Sequence, residues 1–258
     1  MQEDAGASEP LIDAQQCWAD AFCGEQVEDW VKAIKATYVP NEAAPGVWIV
    51  PDFGEGAAPG EQEELAAPFE PPAGAVKVAL QPGVAFGTGE HPTTRLCLAT
   101  LAAGGRAAVR AGDEVLDYGA GSGVLALLAL RLGATRAVGV DIDPMAVSSA
   151  KTNAALNGFD ETNFRCYEVD PEDDAARPLA AEDDDSFDMV VANILQGPLL
   201  DLEARLASYA RPGARLVLSG VLAGEQAAAV VEKYGEHFEG MAVAEEDGWA
   251  CVTGVRRQ

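Results

Sequence analysis

Val115-Leu-Asp-Tyr-Gly-Ala-Gly-Ser-Gly-Val-Leu125 decides how this chain folds. An apolar run stops at Asp117, a turn passes through Gly119, Gly121 and Gly123, and a second apolar run of helical composition opens at Val124. About twenty residues on, where a nucleotide fold places its ribose acid, another apolar run ends at Asp141 in Gly-Val-Asp-Ile-Asp-Pro. A strand, a glycine turn, a helix and an acid-capped strand make the first half of a nucleotide-binding α/β fold.

The alternation continues on both sides. Upstream, a helix is expected to start after Pro92 and run to about Ala103, with Thr93 and Thr94 near its N-terminus. Downstream, strands are expected at 136–141, 164–169, 187–192 and 214–219, with helices at 123–133, 144–157, 198–210 and 223–237. A closing pair of strands falls near 241–246 and 249–255. Repeated βα units predict a mostly parallel seven-stranded sheet with helices on both faces, and the closing pair adds an antiparallel edge. Before residue 76 the pattern is thinner. Residues 13–37 have helical spacing of Trp18, Phe22, Val27, Trp30, Ile34 and Tyr38, Val47–Val50 reads as a short strand, and 54–74 as a linker. The expected organisation is therefore an N-terminal segment, 1–75, followed by the main domain, 76–258.

Composition narrows the function. The 258 residues carry 42 acids against 17 Lys and Arg, a net charge of −25. Such a chain repels phosphate backbones and anionic membranes and attracts basic proteins. No run of about eighteen apolar residues is present, so no membrane span is expected. The five cysteines are odd in number and form no Cys-x-x-Cys pair, which points to reduced thiols and neither a disulfide frame nor a metal site. Between 168 and 185 lies a loop dense in Asp and Glu, read as a solvated face or as a device to catch a basic partner.

The chemistry is carried by four places. Gly119, Gly121 and Gly123 let backbone approach a ligand, and the helix that follows offers free N–H groups. Their spacing is tighter than the G-x-G-x-x-G of pyrophosphate-binding turns, which favours S-adenosylmethionine, a nucleoside without phosphate. The alternative is a tight turn holding nothing. Asp117 can accept from the cofactor's amino group. Asp141 can accept both ribose hydroxyls, while Asp143 before Pro144 suits a helix N-cap. Asp170 falls where an acid could meet the adenine amino group, or is one more acid of its loop. Asn193 ends an apolar strand, where it can orient an amine by accepting its N–H, or can close a turn. Finally, Gln81–Thr94 is rich in Gly and Pro and holds Phe86, Thr88 and His91, which suggests a wall over the crevice; His91 by type alone is a structural hydrogen-bonder.

Pro82-Gly-Val-Ala-Phe-Gly-Thr-Gly-Glu-His-Pro-Thr-Thr94, Leu116–Gly123, Gly139-Val-Asp-Ile-Asp-Pro144 and Val191-Ala-Asn-Ile-Leu195 together resemble the PrmA family, which methylates protein eleven of the large ribosomal subunit. The resemblance includes Trp48-Ile-Val-Pro51 and Trp249-x-x-Val-Thr-Gly254. It implies a Rossmann-like class I methyltransferase domain that binds S-adenosylmethionine. Phe86, Gly87, Thr88, His91 and Thr93 would wall the cofactor. Asp117, Gly119, Gly121, Gly123, Asp141, Ile142, Asp170 and Asn193 would contact it, and Asn193 would also face the amine as the catalytic residue. Glu90 departs from the threonine usual in the family. The family's N-terminal α+β substrate domain is expected to be largely absent, because about 28 residues before the matching helix are too few for it.

The expected activity is methyl transfer to a lysine or N-terminal amine of a basic, ribosomal protein, by a cytoplasmic monomer that binds neither nucleic acid nor membrane. A plastid or mitochondrial location would follow if a presequence had been removed. The competing readings are a methyltransferase for a different protein or a small molecule, and a non-catalytic S-adenosylmethionine-binding module.

Overall fold

The computed structural model describes residues 39–52, 69–81, 87, 89–169, 179 and 186–258. The expected helix at 13–37, residues 54–68 of the linker, Phe86, Thr88, Asp170 and most of the acidic loop lie outside the described residues. The chain divides into two units between Val39 and Pro40, and the second, Pro40–Gln258, holds every strand and helix given below.

The central sheet has seven strands: β4 (Glu114–Tyr118), β5 (Arg136–Asp141), β6 (Phe164–Glu168), β7 (Phe187–Asn193), β8 (Ala210–Leu222), β9 (Phe238–Glu246) and β10 (Trp249–Arg256). Their order is β6-β5-β4-β7-β8-β10-β9. The first five are mutually parallel, whereas β10 runs antiparallel to both β8 and β9. The reversed strand is thus one place in from the edge, because the hairpin through Asp247 and Gly248 folds β10 back into the gap beside β8.

Helices cover both faces. On one lie α1 (Pro92–Ala102), α2 (Val124–Arg131) and α3 (Pro144–Leu156); on the other lie α4 (Gln196–Asp201), α5 (Glu203–Tyr209) and α6 (Glu225–Tyr234). The sheet feeds both cores by alternation. Val115, Met189 and Val191 join the core under α1–α3, while Leu116 and Val190 join the one under α4–α6. Strands buried on both faces read as the continuous apolar runs that marked them in the sequence.

Several expectations shift in detail. The single helix expected at 198–210 is two, broken at Leu202, and it starts at Gln196, because Pro198 is tolerated in a first turn that needs no N–H from it. The strand expected at 214–219 extends over 13 residues. A second, small sheet joins β1 (Asn41–Ala44), β2 (Val47–Pro51) and β3 (Val76–Leu80), with β2 antiparallel to β1 and parallel to β3. Strand β1 was not expected. It buries Ala43 and Ala44 beside Ile49, Val78 and Leu80 in the same core as α1 and α2. The boundary expected at residue 75 therefore falls inside one compact unit.

Candidate active site

Register brings the predicted residues together. Tyr118 pairs with Val140 on one side and Ala192 on the other, so Gly119, Asp141 and Asn193 leave three adjacent strands side by side. From β4 the chain winds outward through β5 and β6, then returns to the other side at β7. That reversal opens a crevice at the carboxyl ends of β4 and β7, the place where open α/β sheets hold ligands.

The glycine turn is built on backbone. Gly119 and Ala120 donate to Val140 O at 2.7 and 2.9 Å. Gly119 has φ +81°, and a Cβ there would sit 2.2 Å from Ile194 Cγ2, so no other residue fits without displacing Ile194. Gly121 and Gly123 share the left-handed region, at +55° and +80°. Asp141 ties the turn to β5: its Oδ2 accepts from Gly121 N at 2.8 Å, and its Oδ1 from Asp143 N at 3.0 Å. Each oxygen has a second lone pair, so the carboxylate retains acceptor capacity for hydroxyls. Asp143 takes the N-cap role, accepting from Met145 N at 2.8 Å.

Asp117 is buried, and its two oxygens differ. Oδ2 accepts from Ala126 N at 3.1 Å. Ala126 is in the first turn of α2, whose N-cap, Gly123, has no side chain to offer, so a strand residue supplies the missing cap. Oδ1 is buried and has no hydrogen-bond partner among the described residues. Burial pushes the Asp117 carboxyl up to about 7; the Ala126 bond opposes this and the nearby Asp141 adds to it.

On the other side of the crevice stands Asn193. Its Nδ2 lies 3.5 Å from Thr94 Oγ1 on α1, and its Oδ1 is a buried acceptor with no partner among the described residues. The next residue, Ile194, is held by two glycines: Gly119, and Gly220 at φ +89°, where a Cβ would fall 2.1 Å from Ile194 O. Thr94, fully buried, is a site residue that sequence reasoning passed over. The only hint was its place beside Thr93 at a helix start.

The remaining predicted residues border this crevice in different ways. His91 caps α1, accepting from Thr93 N at 3.3 Å, with Nδ1 also 2.8 Å from Thr93 Oγ1 and its ring edge-on to Trp249 at 4.8 Å. His91 and Thr93 thus bond to each other. Gly87, at φ +102°, presents its carbonyl to Ser122 Oγ at 3.0 Å, joining the Gly- and Pro-rich stretch to the glycine turn. Ile142, next to Asp141, is 61% exposed, and Leu195, two residues past Asn193, is 70% exposed. Both follow residues that end their strands at the carboxyl edge of the sheet, Ile142 after Asp141 of β5 and Leu195 two past Asn193 of β7. Among the described residues no three His, Cys, Asp or Glu side chains gather as a metal site.

The model of the ribosomal protein L11 methyltransferase (PrmA) family matches residues 21–257. The chain belongs to this family. It is 43% identical to the ribosomal protein L11 methyltransferase of Azotobacter vinelandii over 230 residues, 89% of this chain and 69% of that protein. The enzyme of the same name from Pseudomonas paraeruginosa is 44% identical, with 89% and 68% covered. The crystal structure of the ribosomal protein L11 methylase from Lactobacillus delbrueckii subsp. bulgaricus superposes with a TM-score of 0.65 at 28% identity, covering 86% of this chain and all of that one.

As a PrmA-family methyltransferase the enzyme uses S-adenosylmethionine, and the crevice fits that molecule. A β-carbon at Gly119 would collide with Ile194, so at that point the turn presents bare backbone. The orphan Asp117 Oδ1 and the spare lone pairs of Asp141 are acceptors, matched to an ammonium group and a pair of hydroxyls. Nothing in the donor set calls for a phosphate: the acids at Asp117 and Asp141 would repel one.

Proposed function

We propose that this enzyme methylates amines of ribosomal protein L11, at lysine side chains or the N-terminal amine. The relatives' names supply the protein, and the buried, unpartnered Oδ1 of Asn193 supports the amine. That single acceptor carries the reading. An amine offers N–H donors to it, and a buried acceptor left unsatisfied costs about 1–3 kcal/mol, which a correctly placed substrate relieves.

The cofactor, when bound, supplies a methyl group activated by a positive sulfur. The chain contributes alignment and exclusion of water. Asn193 accepts one N–H and thereby fixes the direction of the nitrogen lone pair. Thr94 Oγ1, 3.5 Å from Asn193 Nδ2, borders the amide. Ile194, held by Gly119 and Gly220, sets the height of Asn193 above the turn. A lysine amine, with an ordinary pKa of about 10.4, must enter neutral. Asn193 cannot take its proton, and Asp117 is buried, with Oδ2 on the cap of α2 and Oδ1 reserved for the cofactor's ammonium group, so the proton leaves to water before the amine settles against Asn193.

The chain's acidity suits a basic protein substrate and opposes nucleic acid or anionic membrane as partners. No helix among the described residues is long and apolar enough to cross a membrane. We place the enzyme in the cytoplasm, with ribosomal proteins, as a monomer.

The test is incubation with methyl-labelled S-adenosylmethionine and a total ribosomal protein fraction, followed by mass spectrometry. Label on lysine or the N-terminal amine of L11 is expected. Label confined to a different protein, or to oxygen or sulfur atoms, would overturn the proposal.

A further inference from the structure

Asn153, in the last turn of α3, and Asn157, its C-cap, sit one turn apart, both with almost no exposure. Buried polar side chains need fixed partners, and these two divide theirs in a telling way. Asn157 serves β3, α3 and the far end of α2: its Oδ1 accepts from Ala79 N at 3.0 Å and from Arg131 Nη2 at 3.3 Å, and its Nδ2 donates to Ala79 O and Asn153 O, both at 2.7 Å. Asn153 serves the active site. Its Oδ1 accepts from Gln81 N, just past the end of β3, at 2.7 Å, and its Nδ2 donates to Ser122 O, inside the glycine turn, at 2.9 Å. Ser122 in turn donates its hydroxyl to Gly87 O at 3.0 Å.

Two chain positions, Gln81 and Gly87, are thus tied to one residue of the turn, the first through Asn153 and the second directly by the Ser122 hydroxyl. Ser122 lies between Gly121, which donates to Asp141, and Gly123, the N-cap of α2. Three residues of positive-φ glycine are soft, since glycine carries the largest backbone entropy of any residue. A carbonyl pinned from the helix side and a hydroxyl pinned from the loop side remove that freedom before any ligand arrives, and preorganisation of this kind is read as affinity.

We propose that Asn153 and Ser122 are positioning residues for the cofactor: they hold the glycine turn and its facing strand end in the binding geometry without touching the ligand through Asn153 at all. The proposal rests on S-adenosylmethionine as the occupant of the crevice.

The test compares three variants by calorimetry with S-adenosylmethionine and with its demethylated product, at a temperature well below each variant's unfolding midpoint. N153D keeps the acceptor for Gln81 N and loses the donor to Ser122 O. S122A, a near-isosteric change, removes only the tie to Gly87. N157D is the control: it disturbs an equally buried asparagine one turn away that does not reach the turn. N153D and S122A are each expected to weaken binding of both ligands by about tenfold, the size of one well-placed hydrogen bond. N157D is expected to lower the unfolding midpoint while its affinity stays within about twofold of wild type. Unchanged affinity in S122A and N153D, or an equal loss in N157D, would overturn the positioning role. S122A is retained should N153D fail to fold. Wild-type protein that took up neither ligand would instead overturn the cofactor reading itself.

Discussion

The two ends of the central sheet treat polar groups in opposite ways. At the end where β4 and β7 begin, Arg215 is buried and fully used. It donates to Ala108 O at 2.6 Å and to Asp188 O at 3.3 Å, and it pairs with Asp113 at 2.6 Å. Asp113 also accepts from Arg110 N, and Asp188 from Glu114 N and Arg211. At the end where the same strands finish, Asp117 and Asn193 each bury an oxygen with no partner among the described residues, and Ile142 and Leu195 stand in water. One end spends its polar groups on the fold. The other withholds them, and withheld acceptors at a sheet's carboxyl edge are what a ligand completes.

The comparison makes a sharp forecast: damage at the first end should appear in stability, and damage at the second in turnover. The largest effect is expected from Arg215→Met. It leaves Asp113 buried with its cation gone and takes the donors away from Ala108 O and Asp188 O, and breaking such a buried pair costs about 3–5 kcal/mol. Urea unfolding followed by fluorescence would show it, and a loss below about 1 kcal/mol would place the network among the weak surface pairs. Asn193→Ala comes next. It removes an orphan, so stability should hold or rise slightly. Turnover should fall by roughly a hundredfold, the effect of losing one aligning group, while the dissociation constant of S-adenosylmethionine stays within about threefold. Equal losses of affinity and turnover would make Asn193 a cofactor ligand first and an aligner of amine second.

Much of the second end was legible in the sequence because it depends on local spacing. Glycines at alternate positions after an apolar strand leave few other readings, and an acid at the next strand's end completes them. Asn193 was visible because it closes an unbroken apolar run. What stayed hidden depends on distant contacts. Thr94 meets Asn193 across 99 positions. Gly220 earns its place only because Ile194 lies against it. Strand β1 is Asn-Glu-Ala-Ala, a poor strand former by composition, and it pairs only because the Pro45-Gly46 turn returns it onto β2. Asp117 shows both sides. Its position marked it as a ligand contact, but that one of its oxygens would cap a helix nine residues later needed the fold.

Asp117 also offers the smallest and most specific forecast, because it belongs to both economies at once. Its carboxyl titrates at about 7 in the fold against 3.8 ordinarily, chiefly through burial. The folded state therefore binds more protons than the unfolded chain between these values, so this group's contribution to stability is greatest below pH 4 and declines as pH rises to 7. Asp117→Asn keeps a carbonyl oxygen for Ala126 N and removes the titration. Urea unfolding of both proteins at pH 5 and pH 8 isolates the residue, since all other groups cancel in the difference. The variant should gain on wild type by about 2 kcal/mol between the two pH values. A cationic ligand beside Oδ1 favours the ionised form, so S-adenosylmethionine should bind wild type more weakly at pH 5 than at pH 8, with the dependence flattened in the variant. A wild-type affinity independent of pH would show that the orphan oxygen does not meet the ligand's charge, and would leave Asp117 on the structural side of the comparison with Arg215.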